Sequence, residues 1–261
     1  MIPARAYLRF FPYSRGKGIL LRQVVLRLFP PDPAEFEVTL PGGACINLRY
    51  RETLGWSSLV HGIFEKEELE FVDGYLRPGD VAFDVGANVG LFSVVMGKAV
   101  GADGVVVAFE PVGSNIVRLQ RNLKKNNIAT ARVFETALGE SNGIITMQLS
   151  DDAAYPSMYE VQEDLGNGRS VTVEVRTLDE IWVEIGRPKV SFVKIDVEGA
   201  EVEVIRGANG FISQCVPTLL IEANAKEQLQ HLIAVLTPYG YKLLKPTGFR
   251  VHNYLFICPA S

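Results

Sequence analysis

The sequence predicts an α/β fold in which helices cover a doubly wound, mostly parallel sheet of seven strands. After residue 80, short apolar runs that end in an acidic residue alternate with helical segments, a pattern typical of buried parallel strands joined by helices. A glycine-containing turn follows the first of these runs. The chain has 261 residues, of which 48% are hydrophobic, and this suits one large core with an appendage.

Composition narrows the possible function classes. The net charge of −4 gives no support to a nucleic-acid-binding protein, since such domains are normally basic. Cys45, Cys215 and Cys258 are far apart, so we expect a reducing compartment and neither a disulfide framework nor structural zinc. The apolar stretches fall short of the ~18 residues of a membrane-spanning helix. We therefore expect a soluble, cytoplasmic protein, and its oligomeric state is not predicted.

The first 33 residues are basic, with six lysines and arginines against one aspartate, a local charge of +5. Apolar residues recur at helical spacing in segments 4–11 and 18–29, which predicts two short amphipathic helices. These helices either dock on the main domain or make a peripheral contact with an anionic lipid or carrier. Two strand-like runs around a Pro-Gly-Gly turn then predict a β-hairpin between residues 36 and 50.

We place the N-terminal appendage at residues 1–56 and the main domain at residues 57–261. A helix over Ser57–Leu76 leads into the first core strand. Strands and helices then alternate, which implies parallel strands with right-handed crossovers. The predicted segments are strand 81–85, helix 91–99, strand 105–109, helix 114–127 and strand 131–135.

Residues 144–176 interrupt this alternation with two strand-like runs around a polar segment. We predict a hairpin-like insertion with a mobile tip as the candidate for substrate recognition, because long irregular loops in compact domains are commonly functional or disordered. Thr177 is the predicted N-cap of the next helix. The later segments are helix 177–185, strand 190–196, helix 199–211, strand 218–223, helix 226–240 and a closing antiparallel pair, 241–245 with 253–258.

The turn after the first core strand is the predicted cofactor site. Asp84 ends that strand, and Gly86, Asn88 and Gly90 lie in the turn before an apolar helix. The start of such a helix presents unpaired N–H groups and a positive dipole end to a ligand. Glycines let the backbone approach that ligand, and Asn tolerates positive φ. We expect Gly86 to lie under the cofactor, with no room for a Cβ.

Pyrophosphate cofactors do not fit this turn. Counted from Gly86, the third and sixth positions of a dinucleotide fingerprint would be Asn88 and Leu91 instead of glycines. No Lys or Arg follows before Lys98, so the phosphate-binding loop is also absent. Glu110 ends the second strand 20 residues after the last turn glycine, where an acid accepts hydrogen bonds from ribose hydroxyls.

An adenosine-type cofactor with a positive centre and no phosphate suits this acid-lined turn, and S-adenosylmethionine has that chemistry. Five motifs resemble, in the same order, those of the FkbM-type family of S-adenosylmethionine-dependent methyltransferases. They are DVGANVG at 84–90, AFEP at 108–111, TALGE at 136–140, VKIDVEGAEVEVIRGA at 193–208 and LLIEAN at 219–224. The resemblance covers roughly residues 62–257 and implies a Rossmann-like class I methyltransferase fold for the main domain.

The resemblance also implies a set of site residues. Phe64 and Glu65 are possible lid contacts, and Ala137 and Leu138 are expected at the adenine. The full set expected to bind the cofactor is Glu65, Asp84, Gly86, Ala87, Asn88, Gly90, Phe92, Glu110, Pro111, Ala137, Leu138 and Asp196. Methylation of an oxygen on a small-molecule, sugar or lipid acceptor is the implied activity.

Asp196 is also the predicted catalytic residue. It ends the fourth core strand, and in doubly wound sheets the ligand lies beyond the strand ends at the switch point, so Asp196 should face Asp84. Its alternative role is to cap the turn at residues 197–200. We predict no metal, because no histidine lies near the acids in sequence. His61 is a candidate base, whereas His231 and His252 are expected to be structural or exposed.

Two other functions remain open at this stage. A binding module that keeps the cofactor fold without catalysis cannot be distinguished by sequence. A nicotinamide-dependent oxidoreductase is disfavoured by Asn88 and the failed glycine spacing. The identity of the methyl acceptor is not predicted.

Overall fold

The computed structural model describes residues 35–148, 170–244, 246, 248–250 and 252–259. The predicted N-terminal helices, at 4–11 and 18–29, lie outside these residues. So does the tip of the insertion, between residues 149 and 169.

The described strands, in chain order, are β1 (Glu35–Thr39), β2 (Cys45–Arg49), β3 (Val81–Val85), β4 (Val105–Phe109), β5 (Arg132–Phe134), β6 (Ala137–Leu138), β7 (Gly143–Gln148), β8 (Ser170–Arg176), β9 (Phe192–Ile195), β10 (Thr218–Glu222), β11 (Lys242–Leu244) and β12 (Asn253–Ile257). The helices are α1 (Thr53–His61), α2 (Lys66–Tyr75), α3 (Leu91–Val100), α4 (Gly113–Lys125), α5 (Leu178–Glu184), α6 (Glu201–Arg206), α7 (Asn209–Cys215) and α8 (Lys226–Leu236). Short 3₁₀ turns follow β1 and α8.

The main sheet confirms the predicted fold class. Within the described residues it has seven strands in the order β11-β12-β10-β9-β3-β4-β5. The five strands from β10 to β5 are parallel, and β12 pairs antiparallel with β10 and with β11. The strand order reverses between β3 and β9, and ligands bind beyond the strand ends at such a switch point.

The two faces of the main sheet are covered by different elements. Alternate strand residues point to opposite faces, so Ala82 and Phe192 join one apolar cluster while Phe83 and Val193 join the other. The first cluster also contains side chains from α2, α3 and the β1–β2 hairpin. The second is formed with α5, α6, α7 and α8. Both faces are therefore buried, as a parallel sheet requires.

The predicted hairpin is present and is hydrogen-bonded to α4. β1 and β2 pair antiparallel. Asn126 accepts from the backbone N–H of Cys45 at 2.8 Å and donates to its carbonyl at 2.6 Å. Asn122 accepts from the N–H of Asn47 at 3.1 Å and donates to the carbonyl of Val89 at 2.8 Å. Asn122 thus connects the hairpin to the glycine turn, while the boundary at residue 56 stays a prediction.

The prediction of one helix over Ser57–Leu76 is wrong, because α1 and α2 are separate helices. Gly62 has φ 99° and Glu65 has φ 52°, and neither value is helical. Glu65 is buried, and its carboxylate accepts a hydrogen bond from Asn253 Nδ2 at 2.8 Å. The break therefore allows Glu65 to point into the protein.

The predicted helix at 199–211 is also two helices, α6 and α7. The chain bends at Gly207, where an added Cβ would overlap the carbonyl oxygen of Gly139. The insertion, by contrast, is confirmed as a hairpin, because β7 and β8 pair antiparallel. Thr177 caps α5 as predicted and accepts from the N–H of Glu180 at 3.2 Å.

Among the helices of the described ranges, none is long and apolar enough to cross a membrane.

A buried ion pair holds α4 to the start of α1. Arg118 donates two hydrogen bonds to Glu52, at 2.7 and 2.8 Å, and their side chains are 5% and 10% exposed. Breaking a buried pair strands the remaining charge and typically costs about 3–5 kcal/mol. Since Arg49 also lies 3.4 Å from Glu52, we expect Arg118→Met to lower the free energy of unfolding by about 3 kcal/mol, the lower end of that range.

Denaturant unfolding measures this loss. The matched control is Arg121→Met on the same helix, which removes the half-exposed pair with Glu35 and should cost at most about 1 kcal/mol. Equal losses in the two variants would show that the buried pair has no special structural role.

Candidate active site

A cavity of about 310 Å³ lies at the carboxyl ends of the parallel strands. Small-molecule sites in proteins typically measure about 300–1,000 Å³. Its polar and charged lining residues are Glu65, Asp84, Asn88, Glu110, Asn115, Thr136, Lys194, Asp196, Glu198, Glu222, Asn224, Arg250 and His252. Its apolar lining includes Leu54, Phe64, Val85, Ala87, Leu91, Phe92, Phe109, Pro111, Ala137, Leu138 and Met147. Eleven of the twelve residues predicted to bind the cofactor are in this lining, Gly86 among them.

The glycine turn is held against the second strand. The N–H groups of Gly86 and Ala87 both donate to the carbonyl of Phe109, at 3.0 and 2.9 Å. Asn88 has φ 50°, so it adopts the positive φ expected of it. Gly90 is not among the cavity-lining residues, and a Cβ there would lie 2.6 Å from Leu119 Cδ1. The absence of a side chain at Gly90 therefore allows α4 to pack against the turn.

Gly86 has no room for a side chain, but the cause differs from the expected one. A Cβ at this position would overlap the carbonyl oxygen of Asp196. The Asp196 N–H also donates to the carbonyl of Val85 at 3.0 Å. The ends of β3 and β9 are thus in direct backbone contact, and this contact requires the glycine whether or not a cofactor is bound.

Glu110 organises the turn from inside the cavity wall. Its Oε2 accepts from the N–H of Asn88 at 2.8 Å, and its Oε1 accepts from the Val112 N–H at 3.0 Å and from Asn115 Nδ2 at 3.2 Å. Burial raises the pKa of Glu110 to about 7 despite these three donors. Each carboxylate oxygen has lone pairs beyond those used, so the group can also accept from a ligand.

Asp84 lies deeper, at the end of β3. Ser93 on α3 donates a short hydrogen bond to its Oδ2. Burial raises the pKa of Asp84 to about 6, although Ser93 and the charge of Lys194 oppose this rise. Asp84 and Lys194 are paired across β3 and β9, so their side chains share one face of the sheet.

Lys194 is the buried cation of the site. It is 1% exposed, its Nζ lies 3.0 Å from Asp196 Oδ2, and the same atom lies 5.1 Å from the centre of the Phe92 ring. Burial acts to lower its pKa, but Asp196, Glu65 and Glu222 outweigh this and raise the pKa above the ordinary value. Lys194 is therefore charged, and it lies between Asp84 and Asp196.

Asp196 belongs to a cluster of three acids with Glu198 and Glu222. One carboxylate oxygen from each lies within 4.8 Å of the others. Burial acts to raise the pKa of Asp196, but Lys194 and a hydrogen bond with Glu222 hold it below the ordinary value. Burial and the charge of Asp196 raise the pKa of Glu198 to about 8 and that of Glu222 to about 9.

The alternative role considered for Asp196, capping the following turn, belongs to another residue. Glu201 Oε1 accepts from the N–H groups of Val197 and Gly199, both at 3.1 Å. The side chain of Asp196 is thus available to the cavity, and its Oδ2 contacts Lys194.

Glu65, Phe64 and Arg250 form one wall of the cavity. The Arg250 guanidinium carbon lies 4.1 Å from the centre of the Phe64 ring, and its Nη1 lies 4.0 Å from Glu65 Oε1. Burial raises the pKa of Glu65, although Lys194 opposes this rise. His252, expected to be structural or exposed, is an exposed residue that also lines the cavity. The side chain of His61, the last residue of α1, lies outside the described part of the structure.

Sequence comparison places these features in a known family. Residues 84–243 match the family described as the methyltransferase FkbM domain. The chain belongs to this family. It is therefore a methyltransferase that uses S-adenosylmethionine, and the resemblance carried by the five motifs is confirmed.

Two curated relatives of this FkbM-family methyltransferase have named substrates. The 31-O-demethyl-FK506 methyltransferase FkbM of Streptomyces tacrolimicus is 27% identical over 198 residues, covering 65% of this chain and 75% of the relative. The hexuronic acid methyltransferase AglP of Haloferax volcanii is 29% identical over 178 residues, covering 68% of this chain and 66% of the relative. A Pyrococcus horikoshii protein assigned as a transferase shares the fold, with TM-score 0.50, 11% identity and coverage of 88% of this chain and 72% of that one.

The residues of the cavity fit S-adenosylmethionine. Glu110 provides acceptor oxygens suited to ribose hydroxyls, and Ala137 and Leu138 provide a buried apolar surface suited to adenine. The acids deeper in the cavity outnumber Lys194 and Arg250, and such a lining favours a positively charged ligand.

The contact at Gly86 predicts a measurable cost. Gly86→Ala would combine an unfavourable positive φ (81°) with overlap of the Asp196 carbonyl. The positive φ costs about 1–3 kcal/mol, and overpacking typically costs a further ~1–3 kcal/mol. Gly79→Ala is the matched control, because Gly79 has φ 89° but no neighbour within 4 Å of an added Cβ.

Denaturant unfolding should therefore show a larger loss for Gly86→Ala than for Gly79→Ala. Titration with S-adenosylhomocysteine should show weakened binding only in the first variant. If the two variants lost the same stability, the contact between the strand ends would not be the reason for the glycine.

Proposed function

We propose that this methyltransferase transfers the methyl group of S-adenosylmethionine to a hydroxyl oxygen of a small-molecule, sugar or lipid acceptor, with Asp196 accepting the hydroxyl proton. The observation that supports this most directly is the ionised carboxylate of Asp196, which contacts buried Lys194 and lines the same cavity as the glycine turn. When bound, the cofactor supplies a methyl group on a positively charged sulfur, which keeps the electron pair of the broken bond. The chain's own residues then have to bind, orient and remove a proton.

Glu110 is the proposed ribose acceptor. Its carboxylate is anchored by Asn88, Val112 and Asn115, so its lone pairs have a fixed direction and little entropy is lost when a ligand binds. Ala137 and Leu138 are the proposed adenine contacts, and Pro111 and Phe109 line the same region. Glu65, Asp84 and Phe92 are proposed to complete the cofactor site.

Asp196 is the proposed general base because its environment keeps it charged. Removal of a proton from a hydroxyl needs an acceptor that is ionised at neutral pH and within hydrogen-bond reach of the substrate. Glu198 and Glu222 have pKa values raised to about 8 and 9 and are therefore protonated at pH 7. Asp196, whose pKa is lowered beside Lys194, is the ionised member of the three.

A hydroxyl acceptor fits this cavity better than a carboxylate acceptor. A carboxylate needs no base and would approach Asp196, Glu198 and Glu222 against like charge, whereas a hydroxyl needs the base that the cluster provides. The name of the Streptomyces relative specifies methylation at an oxygen, and that of the Haloferax relative specifies a hexuronic acid. Small-molecule and sugar acceptors are therefore the first to test.

Two further proposals concern the cellular setting. Cys45, Cys215 and Cys258 are free thiols, which supports a reducing compartment such as the cytoplasm. The basic segment before residue 34 is proposed as a peripheral contact with an anionic surface, because its charge is opposite to that of the rest of the chain.

Replacement of Glu110 tests the cofactor site. A hydrogen bond to a charged group contributes about 1.5–3 kcal/mol, so Glu110→Ala should weaken S-adenosylmethionine binding by roughly ten- to a hundredfold in calorimetry. Glu135→Ala is the control, since Glu135 follows the next strand but is exposed and does not line the cavity. Unchanged affinity in the Glu110 variant, with the fold intact, would remove this residue from the cofactor site.

Replacement of Asp196 tests the base. A positioned base contributes about 10²–10⁴-fold, so Asp196→Asn should lower turnover by that factor at saturating cofactor while cofactor affinity changes little. The assay follows labelled methyl transfer over a panel of sugar, lipid and macrolide hydroxyls, with hexuronic acids as the carboxylate comparison. Wild-type turnover in the variant would exclude the role of Asp196, and His61 would be tested next. Transfer only to the carboxylates would refute the hydroxyl proposal.

A further inference from the structure

Asp196 and Glu222 are neighbours because of the register of the sheet. Ile195 of β9 pairs with Ile221 of β10, so the next residue of each strand, Asp196 or Glu222, points to the same face. Both carboxyl groups line the cavity. Oxygen atoms of the two groups lie within 4.8 Å of each other, and the two side chains are within hydrogen-bonding reach.

The remaining contacts of these carboxyl groups are unequal. Asp196 Oδ2 contacts Lys194 Nζ at 3.0 Å. Asp196 Oδ1 is buried, and no N–H or hydroxyl of the described residues donates to it. Glu222 Oε2 accepts from Asn224 Nδ2 at 3.1 Å, and Glu222 has no comparable contact with a cation among the described side chains. A proton on Glu222 would therefore satisfy the buried oxygen of Asp196.

Two carboxyl groups can form a hydrogen bond only when one of them carries a proton, because ionised carboxylates are acceptors alone. Two adjacent carboxyl groups that share a site are known to hold one proton between them, since both cannot ionise at low cost. The contact with Lys194 stabilises the negative charge on Asp196 and not on Glu222.

We propose that Asp196 and Glu222 share one proton, that Lys194 places the negative charge of the pair on Asp196, and that protonated Glu222 is the positioning residue for this base. The proposal deepens the proposed hydroxyl methylation and rests on it for its role in turnover. The separation of roles also agrees with the pKa values, which are lowered for Asp196 and raised to about 9 for Glu222.

Other charged groups surround the pair and have been considered with it. They are Lys194 on β9, Glu198 and Glu201 after it, Asp84 on β3, Glu65 before α2, and Arg250 with His252 before β12. Lys194 and Arg250 favour the charge on Asp196, and the four other acids disfavour a second charge on Glu222. The surroundings thus support one negative charge on the pair.

In the reaction, the O–H bond of the acceptor breaks and its proton moves to Asp196. The electron pair of that bond remains on the oxygen, which forms the new bond to the methyl carbon. The pair then holds two protons, and one of them leaves to water through the open cavity. Glu222 keeps its proton throughout and fixes the direction of the Asp196 lone pairs.

Infrared spectroscopy tests the shared proton without an acceptor. The absorption of protonated carboxyl groups is recorded between pH 5 and 10 for the wild-type protein and for Glu222→Gln, Asp196→Asn and the control Glu227→Gln. Glu227 is exposed on α8. At pH 7 the wild type should exceed Glu222→Gln by about one protonated carboxyl group and should match Glu227→Gln, and this group should titrate near pH 9.

The remaining arms decide between the alternatives. In Asp196→Asn the titration of Glu222 should move down by at least about one pH unit, because its charged neighbour is gone. Equal protonated-carboxyl absorption at pH 7 in wild type and Glu222→Gln, or an unmoved titration in Asp196→Asn, would overturn the proposal. So would about one chelator-removable Mg²⁺ per chain, bound in wild type but not in Glu222→Gln. A failed search for hydroxyl acceptors would refute the proposed function and leave the infrared result intact.

Stability provides a second measurement. The pKa of Glu222 in the folded protein lies above its ordinary value of 4.5. The stabilising contribution of its protonated form is therefore complete below pH 4.5 and is lost as pH rises through about 9. The free energy of unfolding should fall more between pH 5 and 9 in wild type than in Glu222→Gln, and identical pH profiles would contradict the shared proton.

Discussion

The site depends on one buried cation among acids. Lys194 lies inside the sheet, where a lone charge would be very costly, and it is tolerated because Asp196, Glu65 and Glu222 surround it. The cost is reciprocal, since without Lys194 these buried carboxyl groups would be driven towards their neutral forms. The cation therefore decides which acid of the cavity stays ionised, and Asp196, at 3.0 Å, is that acid.

Backbone packing connects this electrostatic arrangement to the cofactor turn. The ends of β3 and β9 meet where Gly86 contacts the carbonyl of Asp196. The same turn is held by Glu110 from one side and by Asn122 from the other, through Asn88 and Val89. The proposed base and the turn are thus parts of one rigid unit. A rigid unit of this kind is what an in-line transfer requires, because the reacting groups must be held in alignment.

Much of the fold could be predicted because periodicity and turn residues report local structure. The order of strands and helices followed from apolar runs, and the switch point placed Asp84 and Asp196 at one edge of the sheet. The helix breaks at Gly62 and Gly207 were missed because their causes are distant. They are a buried Glu65 bonded to Asn253, and the close approach of Gly139.

The site was predicted where a motif carries it and missed where three-dimensional neighbours do. Lys194 is an interior residue of an apolar strand, and only the register with Asp84 shows that its charge faces the cavity. Arg250 and His252 come from a loop far along the chain that closes over the strand ends, and no local pattern marks them. Glu222 ends a predicted strand, but its pairing with Asp196 follows from the β9–β10 register.

The measurement that tests the account most directly is a crystal structure of the complex with S-adenosylhomocysteine. The account predicts that the ribose hydroxyls lie within hydrogen-bond distance of Glu110, that the adenine contacts Ala137 and Leu138, and that Asp196 and Glu222 remain open to an acceptor. A complex in which the amino-acid part of the ligand occupies Asp196 and Glu222 would contradict it, because no base would then remain for the acceptor hydroxyl.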